Sequence, residues 1–121
     1  MEDREETDLR EALRPLASLI SKSEKAQQKL TPGTWQHTML RDNLKALHMA
    51  SALMKEETPV AGRLGRDDLK DALRALASMT SRTEQAQVRL SPGTSQHTLL
   101  RNRLGALRTA AALLEVELKR R

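Results

Sequence analysis

SKSEKAQQKLTPGTWQHTMLR, residues 21–41, returns as SRTEQAQVRLSPGTSQHTLLR at residues 81–101. Carried outward at the same offset of 60, residues 8–57 align with 68–117, and 28 of the 50 positions are identical. Most of the remainder are conservative, such as Lys22/Arg82, Ser23/Thr83 and Thr31/Ser91. A fixed period of this length marks a duplicated supersecondary unit. The fold of the chain is the fold of that unit, packed against its own copy.

Leu9, Leu13, Leu16, Ile20, Ser23, Gln27 and Leu30 recur at spacings of three and four, with Ala12, Leu19 and Ala26 widening the face. This is the stripe of an amphipathic helix. Acids in its first turn (Asp8, Glu11) and bases in its last turns (Lys25, Lys29) suit the helix dipole. Thr31-Pro32-Gly33-Thr34 then breaks the pattern. The residue before a proline is pushed out of the helical region, so Thr31 is the expected N-cap and Pro32 the first residue of a second helix. That helix carries Leu40, Leu44, Leu47, Ala50 and Met54, with Trp35, Met39, Ala46, Met49 and Leu53 beside them. Its apolar face is the broader one, and it should be the more buried.

Each copy therefore reads as an antiparallel helical hairpin too small to bury its own faces. The expected architecture is all-α: one domain over 1–121, a four-helix bundle of two tandem-duplicated hairpins related by a pseudo-twofold axis. The expected helices are 8–30 and 32–57 in the first repeat (8–57), and 68–90 and 92–118 in the second (67–117). The linker, 58–66, is marked by Pro59, Gly62 and Gly65, and Asp67 is the expected cap of the third helix.

Composition narrows the function. At 121 residues with one aromatic, Trp35, the core must be aliphatic. There is no cysteine, hence no disulfide and no thiolate chemistry. No apolar stretch approaches the roughly 20 residues of a membrane span, and the acidic opening Met1-Glu2-Asp3-Arg4-Glu5-Glu6 is unlike a signal peptide. A cytoplasmic protein with no membrane association is expected. No acid stands beside a histidine at a spacing that orients a general base, and there is no glycine-rich phosphate loop. The chain reads as a non-enzyme that needs no cofactor.

The charge is uneven. Residues 20–45 and 80–105, the expected turn end, hold nine bases and three acids, a net +6; the whole chain is +5, which leaves −1 elsewhere. At that end the repeat also gathers Glu24, Gln27, Gln36, His37 and Arg41, and again Glu84, Gln87, Gln96, His97 and Arg101. One reading makes these structural: Glu24–Arg41 and Glu84–Arg101 ion pairs, with Ser23, Gln27 and His37 in a polar layer that sets register. The other makes them an anion or phosphate pocket at two helix N-termini. A metal site is not expected, because the Glu-x-x-His pairing of di-iron bundles is absent and Arg41 adds positive charge.

Trp35 aligns with Ser95, and His48 with Arg108. His48 reads as a surface histidine. Trp35 is expected to be at least partly buried; the other reading joins it to Met39, Met49 and Leu53 in a patch for a partner. The function expected is an interaction or assembly module that binds a protein partner or itself. The alternative is an anion, phosphate or nucleic-acid-backbone binder at the basic turns. Without aromatics among the bases, nucleic acid would be held through phosphates and without sequence preference.

Overall fold

The computed structural model describes residues 2–55 and 64–120, with side chains from residue 9 onward. Four helices and no strand occur among these residues: α1 (Glu2–Gln28), α2 (Trp35–Met54), α3 (Arg66–Val88) and α4 (Ser95–Arg120). Most of the expected linker lies outside the described residues.

The breaks between helices differ from the expected ones for a specific reason. Thr34, not Thr31, caps α2: its Oγ1 accepts from the His37 N–H at 3.3 Å and donates to the Thr31 carbonyl at 2.8 Å. Pro32 is not helical. It precedes Gly33 at φ +94, and the Thr34 N–H returns to the Thr31 carbonyl at 3.3 Å. That is a type II turn, with proline preset at its second position and glycine at the third, where φ is positive. The same device recurs sixty residues on, with Gly93 at φ +90 and Thr94 bonded to Ser91 and His97. The start of α3 also differs. Gly65, rather than Asp67, is its cap, and the Asp68 carboxylate reaches back to accept from the Gly65 N–H at 3.3 Å. An acid three residues past the cap supplies the missing acceptor.

The helices follow one another in antiparallel succession. α1 packs on α2, α2 on α3, α3 on α4, and α4 returns to α1. Both short turns therefore lie at one end. At the other end the Arg66 guanidinium donates to the Leu118 carbonyl at 3.2 Å. Across the ring the backbones of α2 and α4 approach closely, whereas those of α1 and α3 do not come within 8 Å among the described residues. The buried faces of α2 and α4 explain the asymmetry: each carries two alanines four apart, Ala46 and Ala50, Ala106 and Ala110. Small side chains let two helix axes approach. Leucines close the space around them, with Leu16, Leu47, Leu69, Leu76, Leu107 and Leu114 fully buried. One aliphatic cluster thus draws on all four helices. As the broader stripe implies, α2 is the richer in buried residues, from Asn43 to Met54, while α3 buries four side chains.

The turn device makes a stability prediction. Thr34→Ala and Thr94→Ala should each cost about 1 kcal/mol, the usual loss for an N-cap side chain. Chemical denaturation should give equal and additive losses, since the two caps share no partner; a loss confined to one turn would contradict an equivalent role.

Candidate functional site

The repeated polar residues sit at the turn end, but they do not assemble as a bonded layer. The side chains of Gln27, His37, Gln87 and His97 are half-buried, while Gln36, Gln96, Arg41 and Arg101 are exposed. No hydrogen bond links any of these side chains to another. The contribution of His37 and His97 to the local structure is their backbone N–H, given to the threonine caps. Thr80 and Thr83 bond back to the carbonyls of Leu76 and Met79 in their own helix, at 2.8 and 2.7 Å. Such back-bonding satisfies a hydroxyl without joining two helices.

The ion pairs also differ from the expected ones. Glu84 pairs with Arg108 at 3.0 Å, not with Arg101. Arg41 lies 3.6 Å from Asp42, its neighbour in α2, and makes no pair with Glu24. The reason is register: Arg108 lies two turns further along α4 than Arg101, on the flank that faces α3. Sequence spacing gives which residues share a helix face, but not how far the facing helix has slid. The equivalent of Arg108 in α2 is His48, which is exposed as expected.

Of the nine bases counted at this end, Arg41 and Lys45 make ion pairs, with Asp42 and Asp68. The other seven make none among the described residues. Arg103 is unusual among them. It is half-buried, and its Nε is sealed from solvent with no hydrogen-bond partner. Its equivalent in α2 is the buried Asn43.

The hydrophobic patch is divided. Met49 belongs to the core, and Leu53 packs against it. Trp35 is 68% exposed, so it is not a core side chain and is covered less than expected. It stands at the first position of α2, above the level where the core begins. With Met39 it borders an open groove between α2 and α3, floored by Ala46, Met49, Ala72 and Ala75. Lys45 and Asp68 span this groove at 3.5 Å. A second groove, between α1 and α4, is lined by Arg14, Pro15, Leu99, Arg101, Gly105 and Ala106, among others. Its inner positions correspond to those of the first at the offset of 60: Pro15 to Ala75, Leu99 to Met39, Gly105 to Lys45. Sequence reading did not find it. Its signals were the exposed Leu99 (44%) and the loss of a side chain at Gly105.

No family model, curated protein or solved structure matches the chain. Among the described residues no group of three or more histidine or acidic side chains is arranged to hold a metal ion. No helix there is long and apolar enough to cross a membrane.

Because Gln27 and Gln87 are half-buried without a side-chain partner, the double change Gln27→Leu, Gln87→Leu should leave thermal stability unchanged or raise it. A drop of several degrees in a melting curve would show that the amides make interactions that their surroundings here do not supply.

Proposed function

We propose that this chain is a non-enzymatic interaction or assembly module: a duplicated pair of helical hairpins, related by a pseudo-twofold axis, that presents a docking face along α2 and α3. The equivalent turns, the equivalent grooves and the buried alanine pairs at matching positions support the duplication and its symmetry. Exposure of Trp35 carries the docking face. An aliphatic chain has placed its only aromatic residue in solvent, at the mouth of a groove with an apolar floor and a charged rim. Covering an indole of which two-thirds is exposed contributes about 3.5 kcal/mol, at roughly 25 cal/mol for each Å² of about 140 Å². Exposed ion pairs contribute about 1 kcal/mol at most, so the tryptophan and not the charged rim is the anchor. Trp35→Ser gives α2 the residue that α4 has at Ser95. It should leave the helical circular dichroism unchanged and abolish capture of partner protein by the immobilised chain, and Met39→Glu should do the same. Undiminished capture by both variants would place the interface elsewhere.

A second reading has its own observation. Arg101 is exposed and unpaired, and six other bases near the turns are also without ion pairs. Such an end suits phosphate or nucleic-acid backbone. The threonine caps already occupy part of each helix N-terminus, so any phosphate would be held chiefly by side chains. Fluorescence anisotropy of a labelled oligonucleotide should then give micromolar binding at about 50 mM salt and sharp weakening by about 200 mM. Arg41→Ala with Arg101→Ala should reduce the salt slope by about 2. Absence of binding at low salt would remove nucleic acid from consideration.

A further inference from the structure

The two grooves are equivalent in position but opposite in character. The α2–α3 groove carries Trp35 and is bridged by Lys45. Their equivalents in α4 are Ser95 and Gly105, and Gly105 lines the α1–α4 groove. A Cβ added to Gly105 would meet no atom within 4 Å, so the space beside α4 is open. One groove bears a protruding indole, and the other is missing the side chains that would fill it.

Their rims differ in charge as well. Asp42, Asp68 and Asp71 stand against Lys45 and Arg74 at the first groove, a net −1. Arg10, Arg14 and Arg101 stand against Glu11 at the second, a net +2. The aspartates make exposed ion pairs at 3.5–3.6 Å, weak enough to exchange partners, and Asp68 also keeps its bond from the Gly65 N–H at the α3 cap. The arginines of the second groove make no ion pair among the described residues. Pro15, where the first groove has Ala75, gives no N–H to the Glu11 carbonyl four residues back.

We propose that the partner at the α2–α3 face is a second copy of this chain, joined head to tail, with Trp35 of one copy seated beside Gly105 in the α1–α4 groove of the next. This rests on the reading of that face as an interaction surface and names its occupant. The two grooves lie on opposite sides of the ring of helices, so the indole cannot reach the groove of its own chain. The contact is heterologous: each copy keeps a free indole on one side and a free groove on the other, and assembly continues beyond the dimer. Leu99 and Pro15 pack on the ring, and the aspartate rim meets the arginine rim.

The test uses the full chain, in light scattering over a concentration series with tryptophan emission read in parallel. Trp35 is the only tryptophan, so the emission reports this contact alone. The mass should rise above 13.6 kDa without stopping at the dimer, the emission should move to the blue with it, and added salt should weaken both. Trp35→Ala removes the indole, and Gly105→Lys fills the groove with the residue its counterpart has. Each variant should weaken self-association at least tenfold, which is about 1.4 kcal/mol. Both should remain folded by circular dichroism, since one residue is exposed and the other side chain enters open space in a helix. Mixed, they should form a one-to-one pair that grows no further, because one supplies the only intact groove and the other the only intact indole. Three outcomes would overturn the proposal: a monomer at every concentration, self-association of Gly105→Lys at wild-type strength, or no pairing in the mixture. A wild-type monomer that still captures a partner in a Trp35-dependent manner would overturn self-assembly and leave the docking face standing.

Discussion

Everything in this chain depends on the approach of α2 to α4 across the core. With no phenylalanine or tyrosine and its one tryptophan outside, the protein has no bulky ring with which to span a wide interior. It closes the interior by bringing two helices together on alanine and sealing the sides with leucine. Ala46, Ala50, Ala106 and Ala110 are the narrow points. The fully buried leucines sit on all four helices; α1 and α3 each bury a single alanine, Ala12 and Ala72, whereas each helix of the diagonal pair buries two spaced four apart. An interior packed to crystal-like density tolerates little change in volume. The alanines are therefore as restrictive as the leucines, although they bury much less area.

The helical character of the chain was legible because the stripe Leu9–Leu30 and its counterpart have a clear period, and because proline and glycine interrupt them at matching places. The greater burial of α2 followed from its second apolar strip. The cap is not fixed by residue type alone. Thr31 and Thr34 are both good N-cap residues, and the choice between them depends on whether Pro32 enters the helix or the turn. Gly33 decides it: a positive φ one residue after the proline completes a type II turn and delays the helix to Trp35. The exposure of Trp35 follows from the same delay, since the first residue of a helix lies above the layer where the core begins.

The polar block was legible as a repeat and not as a set of contacts. Its proline, glycine and threonine have a plain structural purpose in the turn and cap. Histidine takes part through its backbone, which any residue could provide, so its identity is unexplained by these bonds. Ion pairing could not be derived, because pairing of Glu84 with Arg108 rather than Arg101 depends on the slide between two helices. The differences between the copies carried more information than the likeness. Trp35/Ser95 and Lys45/Gly105 mark the places where two otherwise matching grooves part.

The order in which the seams join has a kinetic side. Three of the four neighbouring contacts connect helices adjacent in sequence, and two of those are closed by a turn that sets itself locally. The contact of α1 with α4 joins the two ends of the chain. Loops of greater length cost more entropy to close, and contacts distant in sequence slow folding. The hairpins are therefore expected to form early and the α1–α4 seam last. In a nascent or partly opened molecule, that seam is also where the exposed faces of two separate chains would first find each other.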